Sequence, residues 1–157
     1  PAEIVDSLIH TPGQIGAARW PDEKNPERRS SGSQFYIVTG ASVTHATLDS
    51  NQVVYTGVQK GEMFRSYQIA LDSGEFSGSF DAYLTTHNFQ EFRYPSAQRQ
   101  QYIQQGGAPW LDFQYTIFGK VVKGMDIVRK IELTPCHAGE RPKKAIRIQQ
   151  IQIATTQ

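Results

Sequence analysis

Cysteine is almost absent from this chain. Cys136 is the only one in 157 residues, so an intrachain disulfide framework is excluded. The lone thiol does not fix a compartment. Long hydrophobic runs are missing too: no apolar stretch approaches the roughly 18–20 residues of a membrane-crossing helix. Charge of one sign is not in excess. Sixteen Lys and Arg face fifteen Asp and Glu, leaving a formal charge of +1, so whole-chain electrostatics do not select nucleic acid or an anionic membrane. The four histidines, His10, His45, His87 and His137, are scattered without metal-ligand spacing. There is no internal repeat and no low-complexity tract. No signal-peptide pattern is visible, and the chain opens at Pro1 without a methionine. The expectation is that an upstream segment was removed or never included. What remains is an ordinary globular composition, 38% hydrophobic and 20% charged, long enough for one domain with a real core.

The chain divides into three zones. In the first, residues 1–40, His10-Thr11-Pro12-Gly13 reads as a turn, and Gln14 to Ala18 as a short strand of small residues. Trp20 to Arg29 is a polar loop with two prolines. Gln34 to Thr39, rich in aromatic and β-branched residues and closed by Gly40, reads as a buried strand. The second zone, 41–107, is polar and aromatic with weak periodicity. Met63, Phe64, Tyr67 and Leu71 share one helical face before Gly74 and Gly78 interrupt it. A second helix is expected from Ser96 to Gln105, started by Pro95-Ser96 and stopped by Gly106-Gly107. The third zone, 108–157, has a strand over Tyr115 to Val122. A short helix comes next, with Met125, Val128 and Ile131 on one face and Pro135 ending it. Ile146 and Ile148, then Ile151 and Ile153, alternate with polar residues. The slip in phase between the pairs suggests a bulged final strand.

Two segments resemble a known family. Ser31-Gly32-Ser33-Gln34-Phe35-Tyr36-Ile37 is similar to the GSQFFI-type strand of cyclophilins. Trp110-Leu111-Asp112, followed by the run from Tyr115 to Val128 (YTIFGKVVKGMDIV), is similar to their WLDGxHTVFGxVxxGMDVV segment. His10 to Arg19 resembles the family's HTGPGxLSMAN stretch more loosely. The end of the second zone, a helix running into Gly106-Gly107, looks like cyclophilins of Bacteroidetes-type bacteria. On this resemblance, residues 1–40 and 108–157 form a cyclophilin-like portion and 41–107 a large insertion. The expected fold is mainly β: a closed antiparallel barrel of which this chain supplies about the second half, with a short capping helix and a partly helical insertion. The family's earlier strands and its FHR…QGGD segment, which bears an arginine important for catalysis, have no counterpart here.

The resemblance also implies a site. Gln34, Arg19 and Ala18 match catalytic positions, the last two standing where the family has an Ala-Asn pair whose backbone binds substrate. Tyr36, Trp110, Leu111 and Tyr115 match the substrate-binding wall, with Tyr36 on the floor of a proline pocket and Tyr115 in place of a common His. Each has a plainer reading. Gln34 can be a strand amide satisfying a neighbouring loop, Tyr36 an ordinary core aromatic, and Arg19 a solvated loop charge. Asp112 and Gly119 read as turn and strand-packing residues. Cys136-His137 is adjacent rather than arranged as a dyad, and Ser31-Gly32-Ser33 is not followed by the helix of a nucleophile elbow. Arg19 to Arg29 holds four basic and three acidic residues, the pattern of a solvated loop.

The implied function is peptidyl-prolyl cis-trans isomerisation in protein folding. Rotation about X-Pro faces a barrier of roughly 18–20 kcal/mol, and both isomers are populated. No cofactor, metal or nucleophile is expected, only tighter binding of the twisted amide than of either planar form. The partners expected are proline-containing peptides and proteins, together with an upstream segment or partner chain completing the barrel. Nucleic acid and a transmembrane segment are not expected. The alternatives are a non-catalytic module that binds Pro-containing segments and a subunit of an envelope assembly. A bacterial periplasm or cell envelope is favoured over the cytoplasm.

Overall fold

A computed structural model describes residues 3–154, so the outermost residues of the two expected domain bounds lie outside the described residues. Its elements in chain order are β1 (Gln14–Ala17), β2 (Phe35–Ile37), α1 (His45–Asp72), α2 (Phe80–Thr86), α3 (Ser96–Gln105), a one-turn 3-10 helix at Pro109–Leu111, β3 (Ile117–Lys120) and α4 (Met125–Glu132). The strands form one open antiparallel sheet in the order β2-β1-β3. Ile15 faces Ile37 on one side, and Gln14 faces Lys120 on the other, with a register shift between Ile15 and Gly16. None of the helices among the described residues is long and apolar enough to cross a membrane.

This corrects the expected fold class. The chain is not mainly β, and its three short strands do not close into a barrel. The expected final strand is absent: the segment carrying Ile146, Ile148, Ile151 and Ile153 has no ladder, and Ile153 is 91% exposed. Alternation specifies which face a strand would bury. It does not supply a neighbour, and without one the backbone bonds of a strand go to water. The strand expected over 34–39 is present but shorter, and it lies at an edge of the sheet with Phe35 47% exposed.

The second zone is helical, as its signals indicate, and it builds most of the core. Val43, Leu48, Tyr94 and Tyr102 cluster there with Ile9, and Phe92 and Phe113 pack alongside. α1 starts where Thr44 accepts a hydrogen bond from the Thr47 N–H at 3.1 Å while the Thr47 hydroxyl reaches back to the Thr44 N–H. Val43 and Leu48 flank this cap and are buried in the same cluster, the arrangement of a hydrophobic staple. The stripe that α1 buries is largely polar: Leu48, Gln52 and Thr56 at every fourth position. Gln52 Oε1 accepts the Tyr94 N–H at 2.9 Å, and Thr56 Oγ1 accepts the Phe92 N–H at 3.1 Å. The helix thus holds segment 92–94 by its backbone. Farther along, Tyr67 packs on Phe64, Phe76, Phe80 and Tyr83 and joins α1 to α2.

α3 ends at Gly106-Gly107, both with positive φ. A side chain at Gly107 would strike the His10 carbonyl and the Tyr102 ring. The close approach lets the Gly107 N–H reach the Ala41 carbonyl at 2.9 Å and the Ala108 N–H reach that of His10 at 2.8 Å. These bonds lock the first zone against α3. α4 is amphipathic by sequence but buries none of its residues: Ile127 and Ile131 face solvent.

Candidate functional site

Asp112 and His10 sit at the centre of the molecule, both nearly inaccessible. Asp112 Oδ1 accepts the His10 backbone N–H at 2.9 Å, and the His10 ring Nδ1 lies 2.8 Å from the same oxygen. Asp112 Oδ2 accepts the hydroxyls of Tyr102 at 2.6 Å and Tyr94 at 3.1 Å. Asn51 donates to the Tyr94 oxygen at 2.6 Å and to the Pro109 carbonyl at 2.7 Å. A carboxylate only accepts, so a His10 ring proton sits on Nδ1, and Nε2 shares a hydrogen bond with the Tyr36 hydroxyl, 2.8 Å away. Burial, and next the Asp112 charge, push the Tyr94 and Tyr102 phenols well above their ordinary range. Tyr36 is pushed up by burial first, then by Tyr115 and Asp112.

The chain of contacts continues outward. Tyr36 stacks on the His10 ring, and its edge meets Tyr115 with centroids 6.0 Å apart. The Arg19 guanidinium lies 4.6 Å from the centre of the Tyr115 ring. It is tied by Nε to the Gln114 carbonyl at 3.1 Å and by Nη1 to Asp22 at 2.5 Å. The side chain of Arg19 is only 5% exposed, so the solvated-loop reading does not describe it. Asp22 also receives Arg28, and the two guanidiniums, Arg28 foremost, hold its carboxyl below the usual range.

The remaining candidates stand apart from this chain. Ala18 donates its N–H to the Gln34 carbonyl at 3.0 Å and accepts the Ser31 N–H at 2.7 Å, leaving a peptide only the second lone pair of its carbonyl. Gln34 is exposed and lines a groove of about 190 Å³ with Ser31, Ser33, Phe35 and Phe118, a groove that includes neither Tyr36 nor Trp110. Trp110 is 52% exposed on the 3-10 turn and Leu111 is partly buried beside it. The Gln114 side chain donates to the Trp110 carbonyl, while the Gln114 carbonyl accepts from Arg19. One turn therefore links the exposed indole to the stacked guanidinium.

Of the residues that the family resemblance implies, the structure brings Arg19, Tyr36 and Tyr115 to one place. The anchor beneath them falls within the same family-like segments, but the resemblance assigns neither residue a site role. His10 and Asp112 are 102 residues apart, and nothing local marks either as a partner. The arrangement offers a fixed aromatic face with a tethered cation, and burial pushes the Tyr36 phenol above its ordinary range. That suits binding and orientation rather than nucleophilic attack. Among the described residues, no group of three or more His, Cys, Asp or Glu converges as a metal site would.

The sequence model of the family described as cyclophilin type peptidyl-prolyl cis-trans isomerase matches residues 84–153. Residues 84–153 are thus similar to the cyclophilin-type sequence. The chain is also similar to "Peptidyl-prolyl cis-trans isomerase-like 2" of Rhizopus delemar, 44% identical over 54 residues, which is 34% of this chain and 10% of that protein. "Peptidyl-prolyl cis-trans isomerase H" of Mycosarcoma maydis is 45% identical over 51 residues, 32% of this chain and 33% of that protein. A "Putative peptidyl-prolyl cis-trans isomerase" of Staphylococcus saprophyticus is 36% identical over 52 residues, 33% of this chain and 26% of that protein. The chain thus spans no more than about a third of these curated relatives. The cyclophilin match begins inside α2 and includes Trp110, Leu111, Asp112 and Tyr115. His10, Arg19, Gln34 and Tyr36 lie outside it.

Proposed function

We propose that the parent protein is a peptidyl-prolyl cis-trans isomerase that binds proline-containing segments of other proteins and assists their folding. The observation that carries this reading is the packing of Arg19, Tyr36 and Tyr115 against one another, beside the exposed Trp110 of the cyclophilin-type segment. A proline ring packs on an aromatic face of this kind, with Trp110 and Leu111 as its rim. Arg19, its side chain only 5% exposed, holds Tyr115 in place, while Gln34 and the Ala18 carbonyl serve a separate stretch of the peptide along their own groove. Isomerisation then needs only that the twisted amide be held better than the planar ones. The test is exchange spectroscopy on a proline tetrapeptide. Added protein should broaden and exchange its cis and trans signals, and Arg19→Ala or Trp110→Ala should weaken the effect. Absence of both saturable binding and faster exchange would sink the proposal.

A second reading rests on a different observation. α4, the Leu133 that caps it and the segment 146–153 leave Ile127, Leu133, Ile148 and Ile153 in water, and among the described residues no strand pairs with the outer edge of β2 or β3. Such edges and apolar faces favour pairing with another polypeptide. On this reading, the chain taken alone binds proline segments without turning them over, and a further segment or subunit covers this side. Residues 41–107 are then a docking element of an assembly in a bacterial envelope, a placement supported only by the resemblance to Bacteroidetes-type sequences. Light scattering distinguishes the cases: self-association of the isolated chain supports the uncovered face, and a monodisperse monomer with full turnover rejects it. Fractionation of the source cells checks the compartment.

A further inference from the structure

The chain has two tryptophans, and both stand out in water: Trp20 is 67% exposed and Trp110 52%. Tryptophan is a highly buried residue on average, so a chain that exposes both needs a reason. Trp110 belongs to the peptide-binding face proposed above, and Trp20 has no role there. One guanidinium joins them. Arg19 Nη1 donates to the Trp20 carbonyl at 3.1 Å, and Arg19 Nε donates to the Gln114 carbonyl, also at 3.1 Å. The Gln114 side chain in turn donates to the Trp110 carbonyl at 3.4 Å. The same guanidinium stands over the Tyr115 ring. The chain at Trp20 therefore meets the Arg19–Tyr115 stack at one guanidinium nitrogen, and the 110–114 turn meets it at another.

The loop that follows Trp20 is cross-linked by its own side chains. Asp22 receives both Arg19 and Arg28, and Arg28 Nη1 also lies 3.6 Å from Glu62 of α1. Asn25 closes the far end: its Nδ2 donates to the Arg29 carbonyl at 2.8 Å, and its Oδ1 accepts the Arg29 N–H at 3.0 Å. The Lys24 and Asn25 N–H groups both return to the Pro21 carbonyl at 3.0 Å. An indole presented from such a loop gives up little conformational freedom when a ligand covers it, which favours affinity. The Lys24 ammonium stands 5.3 Å from the centre of the indole. An apolar side chain tolerates that charge, whereas a second cation is repelled by it.

We propose that Trp20 is a further substrate-binding residue, which packs on a large apolar side chain next to the proline of the bound segment and so sets a preference for it. The inference rests on the isomerase reading. An extended peptide advances about 3.3–3.6 Å per residue, so one that crosses the Arg19–Tyr115 stack brings a neighbour of its proline to the Trp20 flank. The experiment uses the two indoles as separate reporters: Trp110→Phe leaves only Trp20 to emit, and Trp20→Phe leaves only Trp110. Each full-length chain is titrated with blocked tetrapeptides in which the residue before or after the proline is alanine, leucine or lysine. Both emissions should shift to the blue and saturate. Leucine beside the proline should tighten binding about tenfold over alanine or lysine. Trp20→Ala should abolish that preference, and Trp20→Phe, which keeps an aromatic face, should retain most of it. A chain that binds none of these peptides overturns the isomerase reading and this inference with it. Saturation seen by Trp110 while the Trp20 emission stays unmoved, or a leucine preference that survives Trp20→Ala, overturns this inference alone.

Discussion

The ring of Tyr36 lies over Gly16, so near that a methyl group there would overlap its hydroxyl end. Gly16 has an unstrained backbone, so its role is the space it leaves. Gly16→Ala should displace the phenol from His10 and cost about 1–3 kcal/mol, the range for overpacking. Denaturant unfolding measures the loss. Tyr36→Leu in the same chain should restore most of the tolerance to the added methyl group. If Gly16→Ala alone is neutral, the ring is not seated as described.

Asp112 should be the costliest single side chain to remove. Asp112→Ala leaves the Tyr102 hydroxyl and the His10 N–H groups without their acceptor, while the Tyr94 hydroxyl keeps the Pro109 carbonyl at 3.2 Å. At about 1–3 kcal/mol per stranded group, the total is several kcal/mol. Tyr102→Phe, which removes one donor and leaves the carboxylate its other partners, should cost about 1–2 kcal/mol. A smaller loss for Asp112→Ala than for Tyr102→Phe in the same unfolding assay would contradict the network.

Alkali should unfold the chain in a tyrosine-linked step. Tyr36, Tyr55, Tyr94 and Tyr102 all have phenols held above the ordinary value of 10.0, burial being the largest cause in each. The folded state holds these protons more tightly than the unfolded state. Their contribution is therefore complete below about pH 10 and is lost as pH rises through the raised values. Tyrosinate absorbance and helical circular dichroism should change together above about pH 10. Ionisation of these four while the helices persist would reject the linkage.

The middle of α1 can be strengthened. Gly57 and Gly61 lie in the helix interior, and a methyl group at either would touch nothing within 4 Å. Each Gly→Ala change should therefore add roughly 0.5–1 kcal/mol by removing freedom from the unfolded chain. Thermal unfolding of the single and double variants checks this, and a fall in midpoint would show that the helix is bent or crossed there.

How much of the fold and the site is legible in the sequence depends on how local the cause is. The bounds of α3 can be read because Pro95-Ser96 and Gly106-Gly107 act on their own backbone. The interruption after α1 is legible from Gly74. Its start at His45 is not, because Thr44 is capped by Thr47 where a glutamate would be the familiar partner. Alternating isoleucines lead to the expectation of a final strand, and it is absent because strand formation is decided by a neighbour elsewhere in the chain. At the candidate site, motif resemblance singles out Arg19, Tyr36 and Tyr115, which the fold packs together. Asp112 reads as a turn residue because its donors come from segments that only the fold brings together.

The grip of α1 on segment 92–94 through Gln52 and Thr56 has a consequence for temperature. Attachment by hydrocarbon burial weakens on cooling, because the driving force is solvent entropy. Attachment by two side-chain oxygens to two backbone N–H groups has no such dependence and is directional. This joint should therefore keep its register in the cold while the apolar contacts around it loosen. When it does fail on heating, it should release both bonds together, since a helix that turns enough to lose one acceptor loses the other four residues along the same stripe.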